Sequence, residues 1–500
     1  MKDQLYIGID SGTQGCKVIV FSRQLGRVLS ESSSPHSLIE NNRGGREQDP
    51  QTWITALESA LSEALKSVNT KEICAISVSG QQHGFVPLDQ DGKVIRAAKL
   101  WCDTETVAQC HSITKRLGGE KTTIERIGNA VAAGFTASKI LWLKENEPEN
   151  YAKLATILLP HDYLNFWLSG ECWAEHGDAS GTAFYDVHSR KWSTEALQAI
   201  DPDRDLSQCL PPLREAVQPC GTIRPELAEK FGMPQDVLIA SGGGDNMIAA
   251  IGTGNVREGI ITASLGTSGT IYGYSDSPVI DPQGELAAFC SSSGGWLPLV
   301  CTMNVTVATE LVRNLFQLSL DDFNNAVSAS EPGSGGIVLL PFFNGERTPA
   351  LPEATASLHG MTTTNTTPTN ICRAAMEGVT LGLRYGVEVL ERNGMQPGEI
   401  RLVGGGAKSD IWCQMVADIF NMEVISPVTT EAGALGAALQ AMWCYCNAHE
   451  GDVTINNICD SYVILDPNSR KVPDLSRTTV YGAQYEKYLR LEQQLRPLTS

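Results

Sequence analysis

Leu5-Tyr6-Ile7-Gly8-Ile9-Asp10 runs into Ser11-Gly12-Thr13-Gln14-Gly15 and out again through Lys17-Val18-Ile19-Val20-Phe21. Apolar, β-branched runs on both sides of a glycine-rich turn predict a β-hairpin, not a strand-to-helix crossover. The arrangement returns in the second half. Ile260-Ile261-Thr262-Ala263-Ser264-Leu265 enters Gly266-Thr267-Ser268-Gly269 and leaves through Thr270-Ile271-Tyr272. Either turn alone is an ordinary hairpin signal, because glycine is the default turn residue. Two of them, about 250 residues apart in a chain of 500, predict a duplicated domain with one turn per half.

Strands and helices alternate outward from these hairpins. A helix is predicted from about Pro50 to Lys66, with Trp53, Leu57, Ala60, Leu61 and Leu65 on one face. A buried strand follows at 73–78, ending in Ser79-Gly80-Gln81-Gln82-His83-Gly84. Segments 138–145 and 162–167 read as helical, and strand 237–240 runs into Ser241-Gly242-Gly243-Gly244-Asp245-Asn246. In the second half, a helix over 369–392 precedes strand 400–403, which enters Gly404-Gly405-Gly406-Ala407. A helix at 411–420, a strand at 424–426 and a small-residue helix start, Glu431 to Ala438, come next. Tyr481, Tyr485, Tyr488, Leu489 and Leu495 form the stripe of a closing amphipathic helix, read as core packing. The alternation gives an α/β fold class.

Composition excludes several function classes. With 38 basic and 57 acidic side chains the formal net charge is −19, so a non-specific nucleic-acid binder is not expected. No apolar run is long enough to span a bilayer. Met1-Lys2-Asp3-Gln4 leads into a strand without a signal-peptide core. Fourteen scattered cysteines without a CxxC pair are expected to be reduced, which points to the cytoplasm. No metal-site cluster of His, Cys, Asp and Glu is apparent from spacing. No GxxxxGK[ST], GxGxxG or GxSxG string occurs.

Chemistry concentrates at strand ends. Successive N–H groups in a tight turn form an anion-binding nest, and Thr13 and Thr267 add hydroxyl donors. Asp10 stands just before the first such turn, where a carboxylate would repel phosphate unless a cation intervenes; Mg²⁺ held through water is the natural role. Asp245 follows three glycines, which would let a substrate approach, and suits a general base in phosphoryl transfer; a helix N-cap is the alternative. Gln81, Gln82 and His83 offer amides and an imidazole to a polyhydroxylated ligand. Trp101 and Asp103 suit a sugar platform and a hydroxyl acceptor, with core packing of the indole as the alternative. The Gly404–Gly406 run could lie against a nucleobase or ribose, or be a tight turn.

With these segments in order, the chain resembles the FGGY carbohydrate kinases along nearly its whole length. The resemblance rests on Ile7 to Thr13, Glu47-Gln48-Asp49-Pro50, Gly80 to Gly84, Gly134 to Trp142, Leu159 to Leu164, and Asp178-Ala179-Ser180-Gly181-Thr182. Gly242 to Asn246, Ser264 to Gly269, Gly345 to Pro349 and Gly404 to Ala407 complete it. It implies two duplicated actin-like ATPase (ribonuclease H-like) domains with a cleft between them: residues 1–255, mainly sugar binding, and 256–500, mainly ATP binding. It implies ATP-dependent phosphorylation of a ketopentose, D-xylulose to its 5-phosphate. Asp245 would be the general base and Asp10 would lie near Mg²⁺. Gln82, His83, Trp101, Asp103, Asp245 and Asn246 would line the sugar. Gly12, Thr13, Gly266, Thr267, Gly404, Gly405, Gly406 and Ala407 would contact ATP.

The D-xylulose branch commonly has Met where Gln82 stands and Asn where Cys102 stands; Ser11 and Gln14 replace the usual Leu and Ser. A kinase for ribulose or a polyol is therefore an alternative, and an actin- or Hsp70-like ATPase without sugar kinase activity is one of a different class. The expected partners are a small ketose and ATP, with no nucleic acid and no membrane. A homodimer is an arrangement left open.

Overall fold

The opening hairpin forms as expected. In the computed structural model, which describes residues 3–498, β1 (Leu5–Ser11) and β2 (Gly15–Ser22) run antiparallel, with Asp10 opposite Lys17 and Ser11 opposite Cys16. Met1 and Lys2 of the N-terminal tetrapeptide lie outside the described residues. β3 (Arg27–Pro35) adds antiparallel to β2. α1 (Pro50–Ala64) then crosses over: the Asp49 side chain caps it by accepting from the Gln51 N–H, and Pro50 occupies its first turn. Trp53, Leu57, Ala60 and Leu61 are buried as the periodicity predicts, and Leu65 is buried one residue beyond the helix end. The crossover delivers β4 (Ile73–Gly80) parallel to β1. After α2 (Thr136–Asn146) and α3 (Pro160–Ser169), β5 (Pro219–Thr222) and β6 (Leu238–Ala240) complete the order β5-β6-β4-β1-β2-β3. Gly243 and Gly244 pair with the end of β4, and α4 (Asp245–Gly252) starts immediately after them.

The second hairpin repeats the plan. β7 (Ile260–Leu265) and β8 (Gly269–Gly273) are antiparallel, β9 (Leu299–Thr302) extends β8, and the crossover helix α5 (Pro368–Arg392) leads to β10 (Glu399–Val403), parallel to β7. α6 (Asp410–Phe420) and β11 (Glu423–Ile425) give the order β9-β8-β7-β10-β11. This matches β3-β2-β1-β4-β6 in order and in strand sense. The turns differ in one respect. Ser11 faces Cys16 but Leu265 faces Gly269, so the shared Gly-Thr-x-Gly string sits one residue out of register between them.

Chain-level organisation departs from the sequence expectation. One compact unit takes in the chain up to Val256, Ser275–Leu297 and Glu431–Val463; the other takes in Arg257–Tyr274, Pro298–Thr430 and the chain from Ile464 on. A single cut into 1–255 and 256–500 therefore does not describe these units, because two later segments return to the first. The main returning element is α7 (Ala432–His449). It packs on β1, β4 and α4. Small residues make this approach feasible: a methyl at Gly8 would collide with the Ala434 carbonyl, and one at Gly436 with the Ile248 carbonyl. The first sheet is thus covered on both faces. Leu5, Ile7 and Ile9 join the core that contains α1, whereas Tyr6 joins the core that contains α7.

α8 (Leu475–Leu495) closes the second unit with Tyr481 and Tyr488 buried; the Tyr481 hydroxyl accepts from Arg373 at 2.6 Å. Tyr481 and Tyr488 of the stripe are core packing, whereas Tyr485, Leu489 and Leu495 are half-buried. No disulfide is formed among the described residues. No helix among them is long and apolar enough to cross a membrane.

Candidate active site

Asp10 is placed by strand alternation. Tyr6, Gly8 and Asp10 share the β1 face that meets α7, and Ser79 on neighbouring β4 donates to Asp10 Oδ1 at 2.7 Å. The start of α7 passes so close that a Cβ on Gly433 would lie 2.6 Å from Asp10 Oδ2. Burial pushes the Asp10 carboxyl up and Glu431 adds to this; Ser79 and Lys17 oppose it. Lys17 and Glu431 are themselves paired at 2.6 Å.

Asp245 opens α4, and Gly244, not Asp245, occupies the N-cap position. Its carboxylate accepts from the Asn246 N–H at 2.7 Å and from Asn246 Nδ2 at 2.9 Å. Burial, then the charge of Asp10, push it up to about 7, with Asn246 pulling the other way. The glycines before it have a different use from the one expected. A Cβ on Gly242 would lie 2.5 Å from the Val78 carbonyl, one on Gly244 would lie 2.6 Å from Gln82 Cγ, and one on Gly243 would collide with Ser292. Protein already fills that space, so the run lets the turn pack beside β4 and Gln82 and does not leave an opening for substrate.

Gln82 and His83 join this centre. Asn246 Nδ2 donates to Gln82 Oε1 at 2.7 Å, and Gln82 Nε2 reaches Met247 Sδ at 3.1 Å and His83 Nε2 at 3.5 Å. His83 has a left-handed backbone, φ 59°. Its N–H donates to Asp178 Oδ1 at 3.0 Å and its Nδ1 lies 2.9 Å from the same oxygen. Its carbonyl accepts from Lys139 Nζ at 2.7 Å and Thr136 Oγ1 at 3.1 Å. The ring lies against Phe135 and Phe289, centroids 4.9 and 5.2 Å away, over Gly181, where a methyl would collide with it.

Behind His83, His161 bridges two acids: Nδ1 to Asp178 Oδ2 at 3.2 Å and Nε2 to Asp162 Oδ1 at 2.9 Å. Burial opposes charge on His161, yet Asp162 and Asp178 lift it well above the usual imidazole range. Burial would raise Asp178, but hydrogen bonds from His161 and His83 hold it well below the usual carboxylate range. Burial pushes Lys139 down to about 7. Sequence reading quoted Asp178 and Lys139 within longer segments and gave them no role. Their partners lie 95 and 56 positions away, beyond the reach of any periodicity.

Trp101 and Asp103 separate. The Trp101 indole is 37% exposed, not core, and donates to Thr13 Oγ1 at 3.0 Å; Thr13 in turn donates to Gln81 Oε1 at 3.3 Å. Asp103 is buried and fully engaged: it accepts from the Arg46 N–H, Lys99 Nζ and the Glu105 N–H. Its carboxylate supports the strand end and is not presented to a sugar, contrary to the sequence expectation. Glu47, Asp103 and Glu105 cluster closely enough for a metal, but Lys99 Nζ stands among them at 3.0, 3.1 and 2.8 Å and supplies the cation.

In the first turn, the Gly12 N–H is taken up by the Gly15 carbonyl at 3.0 Å and so cannot serve a nest. Those of Thr13 and Gln14 donate to nothing among the described residues. In the second unit, the carbonyls of Gly266 and Thr267 accept from Thr306 and Val305 at 2.9 and 3.1 Å, which ties that turn to the start of a helix, Thr306–Leu315. Thr267 is exposed. Gly404, at φ 91°, and Gly406 are closed against Leu265, whereas a Cβ on Gly405 would meet open space. Gly405 is the glycine of that run that a planar ligand could approach. Ala407 ends the turn, its N–H on the Gly404 carbonyl at 3.2 Å.

Comparison with known proteins places this geometry. The N-terminal domain model of the FGGY family of carbohydrate kinases matches residues 5–252 and the C-terminal domain model matches 261–445. A xylulose kinase of Haemophilus influenzae is 44% identical over 491 residues, 97% of this chain and 99% of that protein. The crystal structure of xylulose kinase from Bifidobacterium adolescentis aligns with a TM-score of 0.83 at 31% identity, over 96% of this chain and 99% of that one. A gluconate kinase from Lactobacillus acidophilus, at 23% identity and a TM-score of 0.91 over 99% of this chain and 98% of that one, shares the fold. The duplicated sheets are those of the actin-like ATPase fold. The chain belongs to the FGGY family of carbohydrate kinases.

Proposed function

We propose that this protein transfers the terminal phosphoryl group of ATP to O5 of D-xylulose. The observation that carries the reading is Asp245, a carboxyl pushed up to about 7, with Asn246, Gln82 and His83 joined to it in one hydrogen-bonded cluster. A base near neutrality can take the O5 hydrogen as the bond from that oxygen to phosphorus forms and the bond to ADP breaks. Asn246, Gln82 and His83 supply donors and acceptors to the sugar hydroxyls, and the exposed Trp101 indole offers it a face. The relatives named xylulose kinase support the choice of sugar.

ATP is assigned to the turn at Gly12 and Thr13, to Gly266 and Thr267, and to Gly404 through Ala407. Of these, the N–H groups and hydroxyls at 13, 14 and 267 suit phosphate, and the open space at Gly405 suits the nucleoside. Mg²⁺ fits Asp10: its hard oxygen donors stand where burial raises the cost of bare negative charge. Held there through water, the ion would neutralise phosphate charge. The absence of any membrane-spanning helix among the described residues is compatible with a cytoplasmic location.

ADP release measured across a panel of pentuloses, hexuloses and polyols tests the assignment. D-xylulose should give the highest kcat/KM. A higher value for D-ribulose, toward which the amide at Gln82 could turn the site, or for a polyol, would displace it.

A further inference from the structure

His83 is gripped from every side by groups to which the reaction gives no direct work. One carboxylate oxygen of Asp178 accepts its backbone N–H and lies 2.9 Å from its ring Nδ1, and its carbonyl accepts from Lys139 and Thr136. Lys139 is fully buried, and its ammonium donates to backbone carbonyls, those of His83 and Gly134, at 2.7 and 2.6 Å. Burying an amine among carbonyls is a poor way to gain stability, because an apolar side chain of similar length would fill the volume without desolvating a charge. It is a good way to hold a carbonyl, and with it a left-handed residue, in one place.

The ring is constrained by its neighbours as well. Asp178 Oδ1, 2.9 Å from Nδ1, can only accept, so the tautomer that suits this pair carries its hydrogen on Nδ1. His161 lies against both Asp178 and Asp162 through its two ring nitrogens, so Asp178 has a second imidazole beside it. In a neutral His83 imidazole of that tautomer the lone pair lies on Nε2. The long 3.5 Å approach of the Gln82 amide to Nε2 is in keeping with an acceptor there.

We propose that Asp178 and Lys139 are positioning residues that hold His83 in its left-handed conformation as the Nδ1–H tautomer, so that Nε2 accepts a hydrogen from a sugar hydroxyl. The proposal rests on His83 touching the sugar, and its test separates the two. The full-length enzyme is labelled with ¹⁵N-histidine, and the His83 signals are identified by their loss in His83→Gln. Kinetics with D-xylulose and ATP are run on His83→Gln, Asp178→Asn, Lys139→Met and the His83→Gln/Asp178→Asn double variant.

The expected results are an Nδ1–H pattern for His83 in the wild type and a D-xylulose KM raised about tenfold or more in each single variant. The KM for ATP and kcat should stay within about threefold. In the His83→Gln background, Asp178→Asn should add less than about twofold, because the residue it positions is gone. A purely structural role would lower Tm and move both KM values together. An Nε2–H pattern in the wild type, or full additivity in the double variant, would overturn the hold on the ring. An unchanged D-xylulose KM in His83→Gln would instead overturn the sugar contact. Should Asp178→Asn fail to fold, Lys139→Met and the wild-type spectrum decide the matter.

Discussion

Asp245 is costly to the fold at the pH where it is useful. Its carboxyl titrates at about 7 in the native protein against an ordinary value of 3.8, because it is buried and lies near Asp10. The native state therefore holds this proton more tightly than the unfolded chain does, and stability falls as pH rises from about 4 to about 7. Asp245→Asn should lower kcat by roughly 10²–10⁴-fold. Without ligands at pH 8 it should also melt a few degrees higher than wild type, by roughly 1 °C per kcal/mol relieved in a chain of this length. The gain should shrink toward pH 4. Calorimetry at the two pH values checks this, and a melting difference that grows toward low pH would contradict the cause given for the shift. In the wild type, kcat/KM for the ketose should decline as pH drops below about 7. Gln82→Met removes one of the two acceptors of the Asn246 amide and should raise the ketose KM several-fold with kcat less affected, as read in steady-state assays.

At this scale the sequence was informative where a polar side chain broke an apolar strand end, which is how Asp10, Gln82, His83 and Asp245 stood out. It was silent on Asp178 and Lys139, whose significance lies in contacts made across the fold. It misread the glycines before Asp245 because open space and backbone proximity leave the same glycine signature.

Among the elements, α7 shows how a composition can be legible while its meaning is not. Glu431 to Ala438 reads as a helix start of small residues; that those residues seat the helix on β1 and α4 depends on the partner surface. Gly436→Val should cost about 1–3 kcal/mol or more by overpacking against the Ile248 carbonyl, seen as a lower denaturation midpoint. Gly433→Ala sets a methyl 2.6 Å from Asp10 Oδ2 and should depress kcat more than it depresses Tm; the reverse order would deny the glycine a role at the carboxylate. The paired hairpins were legible from alternation and turn chemistry, and so was the duplication. Their difference of one residue in register was not, because the two turn strings are alike.

For the whole molecule, a repeat marks where each unit begins and says nothing about where the chain comes back. Ser275–Leu297 and Glu431–Val463 return to the first unit through contacts far apart in sequence. A fragment ending at Val256 therefore lacks the helix that covers one face of its own sheet. It should be aggregation-prone or unfolded by circular dichroism, and a cooperative melt near that of the full chain would refute this.

The same return bears on synthesis. β1 is among the first segments to leave the ribosome, and α7 follows some 430 residues later. At about 5–20 residues per second that interval is on the order of tens of seconds. Throughout it, the strand that carries Asp10 has one face finished and the other waiting for a helix not yet translated. A nascent chain stalled at residue 430 should remain open to protease along β1 and β4, and the first unit reaches its native form only as translation nears its end.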